Sequence, residues 1–200
     1  MNFSAKDLCS KSAMQIKYLR DNPNKRTVTQ NMLNGSEFQK SIFHSNSKAL
    51  YSEMVGCYTT FDNEIKIYFS NDIITNKSII EVKYVSGNYE DWFLENSILQ
   101  CAFYKSLIMM GCTSLKTASF VNEPKKMIKI SRDIDYYLKF GDRIFKIEVI
   151  HPEGIFGFFL CKAKHTMNYD DAKKFDEMYK RKEFNTLSKF FNYYECKTTY

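Results

Sequence analysis

The spacing of apolar residues divides the chain into helical and extended segments. Apolar positions recur at helical intervals over residues 4–19, 27–43 and 90–110. Gly35 lies inside the second of these segments and predicts a division into two helices, whereas Gly111 marks the end of the third. The pattern therefore predicts several helices, with the longest in the middle of the chain.

Alternation of apolar and polar residues predicts strands before and after the long helix. Segments 54–60 and 64–69 flank an Asp-Asn turn and are predicted to form an antiparallel hairpin, and "NDII" and "SIIEVKYV" are predicted to add a strand pair around residues 75–77. Further strands and a last helix are predicted over residues 114–122, 127–130, 142–150, 154–165 and 169–191. This order predicts an α/β (α+β) fold in a single domain, residues 1–200.

Composition narrows the class of protein. Hydrophobic residues make up 44% of the 200 residues, with only 7 Gly and 3 Pro, which indicates a packed chain with a sizeable core. The formal net charge of +6 suits a polyanionic partner, although it also suits solubility alone. No stretch approaches the roughly 20 apolar residues of a membrane span, so we expect a soluble, cytoplasmic or intracellular protein without membrane contact. The 6 Cys form no C-x-x-C pair, which argues against a zinc site or a disulfide framework.

Two charges interrupt an otherwise apolar strand at residues 78–85. Glu81 and Lys83 are two apart and share a face, while Val82 points the other way. If the strand around Asp72 pairs with this one, its carboxylate meets that of Glu81, and the Val82 carbonyl can complete a cup for Mg²⁺. Lys83 would then orient or help deprotonate a water that attacks a phosphodiester. The alternative interpretation is an exposed strand face with a weak surface ion pair.

The long helix carries a polar stripe that strengthens the first interpretation. Asn96, Gln100 and Tyr104 recur at intervals of four and so lie on one side of the helix. The competing interpretation is an ordinary amphipathic helix with no role in chemistry.

The pattern D-x8-E-x-K followed by Q-x-x-x-Y resembles the PD-(D/E)XK nuclease superfamily, specifically its RecB-like, Cas4-like branch. The residues that carry the resemblance are Asp72, Glu81, Lys83, Gln100 and Tyr104. It implies a restriction-endonuclease-like αβββαβ core, with a central mixed sheet flanked by helices. It also implies Mg²⁺ or Mn²⁺ as cofactor, and Gln100 and Tyr104 beside the metal, where they contact DNA or buttress the ligands.

Upstream, "GSEFQ" is similar to the G-x-x-x-H helix motif of that branch, with Gln39 where a metal-binding His is usual. Gln39 is therefore the candidate ligand by position. Glu37 is held in reserve, because side chains two apart on a helix cannot face one point, and His44 is a possible displaced substitute. The core motifs cover about residues 35–104, followed by basic C-terminal strands and a helix over about 105–200.

The function expected from this resemblance is a metal-dependent deoxyribonuclease that acts on single-stranded DNA or DNA ends. Whether it is an exonuclease or an endonuclease stays open. One alternative is a catalytically inactive nucleic-acid-binding protein of the same fold, which is suggested by Gln39 at the position of the usual metal-binding His. Another alternative is a protein-interaction factor, viral or from a mobile element. An iron–sulfur cluster is not expected, because only Cys161 and Cys196 lie late in the chain.

Residues that could hold DNA recur after the core motifs. Lysines and arginines would follow the phosphate backbone, and aromatic residues such as Tyr136 and Tyr137 could stack bases. The basic positions are Lys125, Lys126, Lys129, Arg132, Lys162, Lys164, His165, Lys173, Lys174, Lys180, Arg181 and Lys182.

Overall fold

The computed structural model describes residues 2–10, 22, 28–59, 66–88, 91–116 and 128–148. Several predictions lie outside this part of the chain. They are the strand expected over 114–122 from residue 117 onward, the strand expected over 154–165, the helix expected over 169–191, and the basic residues Lys125, Lys126 and those after 148. The helices are α1 (Ala5–Ser10), α2 (Gln30–Ser45) and α3 (Asp91–Gly111). The strands are β1 (Asn2–Ser4), β2 (Tyr51–Thr59), β3 (Lys66–Ile74), β4 (Ser78–Lys83), β5 (Thr113–Lys116), β6 (Ile128–Lys129), β7 (Asp135–Phe140) and β8 (Arg143–Lys146).

All eight described strands form one mixed sheet. Its order is β6-β5-β2-β3-β4-β7-β8, and β1 pairs in parallel with the beginning of β3. The neighbours β2, β3 and β4 are antiparallel, whereas β4 and β7 are parallel. Parallel neighbours require a crossover, and α3 lies in the connection between these two strands. The chain is therefore α+β, with a central mixed sheet flanked by helices, as expected.

The predicted hairpin forms, but β3 is longer than predicted. It pairs with β2 from Thr59↔Lys66 to Tyr51↔Ile74, so "NDII" is the second half of β3 and not a separate strand. The separate-strand prediction was wrong because the polar pair of Asn71 and Asp72 resembles a turn, whereas β2 runs on beside it. The predicted pairing of "NDII" with the next strand is confirmed by the register Ile73↔Ile80.

Helix α2 is continuous through Gly35, so the predicted division into two helices was wrong. Thr29 caps its start, with its side chain accepting a hydrogen bond from the Met32 amide. An internal glycine costs only about 1 kcal/mol relative to alanine, and a capped helix of 16 residues tolerates it. A Cβ built on Gly35 would lie 3.6 Å from the Tyr84 Cβ, so the helix passes close to the end of β4.

Strand β7 is absent from the sequence predictions. Tyr136, Leu138 and Phe140 alternate along it and are all buried, while the residues between them are partly exposed. The alternation was present in the sequence, but the pattern D-Y-Y-L-K-F is short. Its position beside β4 depends on the α3 crossover rather than on local spacing.

The core lies between α3 and the sheet. Phe103, Leu107 and Ile108 of the helix pack with strand residues such as Ile67 and Phe69. The helix predicted over 90–110 is thus confirmed, and Gly111 ends it with φ +96. At the N-terminus the helix predicted over 4–19 is described only up to residue 10; residues 5–10 of it are helical, and Ser4 belongs to β1. None of the helices among the described residues has the length and apolar character needed to cross a membrane.

Candidate active site

The pairing of β3 with β4 brings two acidic side chains together. The register Ile73↔Ile80 places Asp72 opposite Glu81 at the next position. The Val82 amide donates a hydrogen bond of 2.7 Å to Oδ2 of Asp72 across the strands. Asp72 is 9% exposed and Glu81 is 2% exposed. The exposed-face interpretation of this strand is therefore wrong, and two carboxylates share a buried position.

Lys83 supplies a positive charge to this position. Its Nζ donates a hydrogen bond of 2.9 Å to Oε1 of Glu81. Burial alone would lower the pKa of Lys83, but the charges of Glu81 and Asp72 outweigh it and hold that pKa above its usual value. The pKa of Asp72 is raised well above its usual value by burial and then by Glu81, with partial relief from Lys83. One ammonium thus faces two buried carboxyl groups, and burial disfavours a second negative charge beside that of Glu81.

Helix α3 contributes two side chains to the same cluster. Nε2 of Gln100 lies 3.3 Å from Oε1 of Glu81 and 2.7 Å from the Tyr104 hydroxyl oxygen. Two members of the predicted polar stripe, Gln100 and Tyr104, therefore face the carboxylates, which the amphipathic-helix interpretation does not account for. The third member, Asn96, is exposed. Tyr104 is 2% exposed and its ring contacts Phe69. Such burial favours the buttressing role over DNA contact for this tyrosine.

Helix α2 reaches the cluster through Gln39. Its Nε2 donates a hydrogen bond of 3.3 Å to the carbonyl oxygen of Val82, the backbone group considered as a metal ligand. Glu37 is exposed on the helix, which agrees with the preference for Gln39. His44 is exposed in the last turn, five residues beyond Gln39, and its ring contacts Phe43. The helix turns by about 100° per residue, so His44 is displaced from the side that Gln39 occupies.

Sequence reasoning missed two buried members of the cluster, Asn71 and Tyr136. The Tyr136 hydroxyl lies 3.0 Å from Oδ1 of Asn71 and 3.4 Å from Oε2 of Glu81, and its single proton serves one acceptor at a time. Burial raises the pKa of Tyr136, with Glu81 as the next cause. With an exposure of 0%, Tyr136 cannot act as the base-stacking platform that was predicted. In the sequence, Asn71 could have been identified as a site residue because it is a polar residue next to Asp72 within an otherwise apolar strand.

Asn71 carries an unsatisfied donor inside this cluster. Its Nδ2 is buried and has no hydrogen-bond partner among the described residues. Leaving a buried donor unpaired costs about 1–3 kcal/mol, and such groups concentrate at functional sites. The unpaired Nδ2 of Asn71 therefore lowers the stability of the fold, and burial in an apolar core has no such cost.

Glu53 is a strained residue on the neighbouring strand. The pairs Ser52↔Ile73 and Met54↔Asn71 place it opposite Asp72, and its φ of 50 lies in the left-handed region. A residue with a Cβ pays about 1–2 kcal/mol for that conformation. Its carboxylate adds, after burial and Glu81, to the raised pKa of Asp72. Strain and negative charge thus coincide beside the candidate site.

The donors at this position fit a hard divalent cation. Two carboxylates and the Val82 carbonyl present oxygen atoms here, although that carbonyl already accepts a hydrogen bond from Gln39. Mg²⁺ takes oxygen ligands with one or two carboxylates and several waters. No group of three or more His, Cys, Asp and Glu side chains in the described segments is arranged to hold a metal.

Comparisons with known proteins leave the family open. No family model matches the chain, and no curated protein matches it in sequence. A solved structure, the crystal structure of SSO0001, is similar with a TM-score of 0.51 and 14% sequence identity, over 82% of this chain and 74% of that one. At this identity the likeness shows a related fold and carries no information on activity.

Proposed function

We propose that this protein is a metal-dependent deoxyribonuclease of the PD-(D/E)XK type, in its RecB-like branch, which hydrolyses single-stranded DNA or DNA ends. The observation that carries the proposal is the buried juxtaposition of Asp72, Glu81 and Lys83. Burying two like charges is costly, and in the described part of the chain the cation that contacts them is Lys83, whose single charge cannot balance both. A divalent cation would supply that compensation, and the chemistry of the cluster then suits phosphodiester hydrolysis.

The order of the elements supports the finer fold assignment. Helix α2 is followed by β2, β3 and β4, then by α3 and β7. This order is compatible with an αβββαβ core if β5 and β6 are counted as an insertion between the last helix and the last strand. Asp72 lies on β3 and Glu81 on β4, the second and third strands of that order.

The roles of the individual residues follow from their contacts. Asp72 and Glu81, with the Val82 carbonyl, would hold Mg²⁺ or Mn²⁺. The bound ion would activate a water and offset the negative charge of the phosphate. Lys83 carries a proton and is held beside Glu81, so it would donate to a phosphate oxygen or orient the attacking water rather than remove its proton. Gln100 fixes the orientation of the Glu81 carboxylate from the side of α3.

A second candidate is a catalytically inactive nucleic-acid-binding protein of the same fold. The specific observation in its favour is the Gln39 amide, which donates to the Val82 carbonyl and so occupies a predicted ligand atom. A carbonyl oxygen has two lone pairs, so this contact weakens the site without closing it. The two candidates differ in turnover and not in binding.

The test is the cleavage of end-labelled and circular DNA, both single-stranded and double-stranded, with Mg²⁺, Mn²⁺ or EDTA. Asp72→Asn keeps an oxygen that can accept from the Val82 amide, so the variant should fold, and we expect it to abolish cleavage. The matched control is Asp135→Asn, which neutralises an exposed carboxylate on β7 and should leave cleavage unchanged.

The outcomes separate the candidates. Metal-dependent products that are lost only in Asp72→Asn support the nuclease, and a requirement for an end identifies an exonuclease. DNA binding without products under every metal condition supports the inactive protein. Equal cleavage by wild type and Asp72→Asn would refute the assignment of the site.

A further inference from the structure

A groove of about 510 Å³ lies beside the candidate active site. Tyr84 lines it and directly follows Lys83 in the chain. The start of α3 contributes Trp92 and Phe93, and the first turn of α2 contributes Asn31 and Met32. Its volume falls within the range of about 300–1,000 Å³ that small-molecule sites have. The groove is thus contiguous with the catalytic strand.

The aromatic residues of the groove form a rigid surface. Trp92 is 56% exposed, and its ring meets that of Phe93 edge-on at 5.9 Å. Phe93 in turn contacts the buried Phe140, which ties this end of α3 to the core. Tyr84 is held from the other side by a ring contact of 5.6 Å with Phe38 of α2. An exposed indole on a supported base is suited to stacking against a planar ligand.

The remaining lining residues are polar and suit a nucleotide. Ser86 and Asn88 line the groove and are exposed, so they can form hydrogen bonds with the edge of a base. Lys6 of α1 also lines it, and the formal net charge of the chain is +6. Charge complementarity therefore favours a polyanion over an apolar peptide. Duplex bases are already stacked on their neighbours, so a base that enters the groove must come from a single strand.

We propose that this groove binds one unpaired nucleobase of a single-stranded nucleic acid, stacked on Trp92, next to the phosphodiester at the candidate active site. The placement of the scissile phosphodiester depends on the proposed nuclease function, whereas the binding of a base in the groove is independent of it. The groove would favour single strands through the stacking of a base, and the phosphate contacts would be independent of sequence.

The protein offers a direct probe because Trp92 is its only tryptophan. The experiment titrates wild type in EDTA with a short oligothymidylate and follows the tryptophan emission. The same titration is made with an abasic strand of equal length and with a duplex. We expect saturable quenching by the oligothymidylate and little change with the other two. EDTA prevents metal-dependent cleavage, so the result does not depend on turnover.

Variants then locate the contribution to affinity. The anisotropy of a labelled oligothymidylate should show about tenfold weaker binding for Trp92→Ala, the effect of losing one stacked base, and near wild-type binding for Trp92→Phe. The matched control is Met109→Ala, which removes an exposed apolar side chain at the other end of α3 and should change nothing. Because Trp92 is largely exposed, its replacement should leave the fold intact.

Three results would overturn the proposal. Equal quenching by the abasic strand would mean that phosphate contacts alone cause the signal. Oligonucleotide binding without quenching would place the bases elsewhere. An emission shift that follows protein concentration alone would indicate that a second copy covers the groove. Quenching in EDTA by a protein that never cleaves DNA would refute the nuclease and leave the groove assignment standing, whereas metal-dependent cleavage without quenching would refute the groove alone.

Discussion

The ion pair between Lys83 and Glu81 leads to the most discriminating prediction on stability. Lys83→Met keeps an extended side chain but removes the ammonium. Among the described residues, the Glu81 carboxylate would then retain the Gln100 amide at 3.3 Å and the Tyr136 hydroxyl at 3.4 Å, with Asp72 beside it. Both remaining donors are neutral and distant, so the charge is poorly compensated.

The size of the effect follows from burial. Removing one partner of a buried pair costs about 3–5 kcal/mol, and the lower end applies because the Lys83 side chain is 16% exposed. In a Glu81→Gln background the same replacement should cost only about 1 kcal/mol, the value of an ordinary hydrogen bond. The expected coupling free energy is therefore about 2 kcal/mol, within the range for residues in contact.

The assay is urea unfolding of the four proteins of this cycle in EDTA, followed by circular dichroism. Lys146→Met is the matched control, because Lys146 pairs with Asp135 at a similar 2.8 Å but both side chains are about half exposed. We expect that control to change stability little. Added Mn²⁺ should reduce the loss caused by Lys83→Met. An equal loss with and without the Glu81 carboxylate would refute the reasoning that a buried charge is being compensated.

Three further predictions concern the surroundings of the cluster. Gly56→Ala should destabilise the protein by about 1–3 kcal/mol in urea unfolding, because the new Cβ would lie 2.8 Å from Cε1 and Cε2 of Phe69. If the same loss of stability persists in the Phe69→Leu background, the clash with the Phe69 ring is not its cause. Gln39→His should tighten Mn²⁺ binding roughly tenfold in calorimetric titration, since it replaces an amide with an imidazole ligand. Unchanged Mn²⁺ affinity would show that position 39 does not contribute to the metal site. Glu53→Gly should raise the melting temperature in EDTA by about 2–4 °C through relief of the left-handed backbone, and a lower value would show that the side chain stabilises the fold.

The residues of the site were accessible to sequence reasoning where local spacing decides the geometry. Glu81 and Lys83 share a strand face, and Gln100 and Tyr104 share a helix face, because strand and helix periods are fixed. The convergence of Asp72 with Glu81 required only an antiparallel pairing across a short turn. Local periodicity was sufficient for Glu81, Lys83, Gln100 and Tyr104, whereas Asp72 also required the pairing of β3 with β4.

The parts that were missed depend on tertiary contacts. Strand β7 and its Tyr136 reach the cluster only through the parallel pairing with β4, after a crossover that no local pattern encodes. Gly35 does not break α2, because a cap and a long helix outweigh one unfavourable residue. The left-handed backbone of Glu53 could not be predicted, because glutamate rarely adopts that conformation and nothing in the sequence marks it. These features follow from the packing of the whole sheet.

The central claim is that Asp72 and Glu81 together bind a divalent cation, and anomalous diffraction tests it most directly. Crystals soaked in Mn²⁺ would be measured at a wavelength where manganese scatters anomalously, with crystals of Asp72→Asn treated in the same way. The account predicts an anomalous peak at the two carboxylates in the wild type and none in the variant. A wild-type map without a peak there, from crystals of a protein that cleaves DNA with Mn²⁺ in solution, would contradict it.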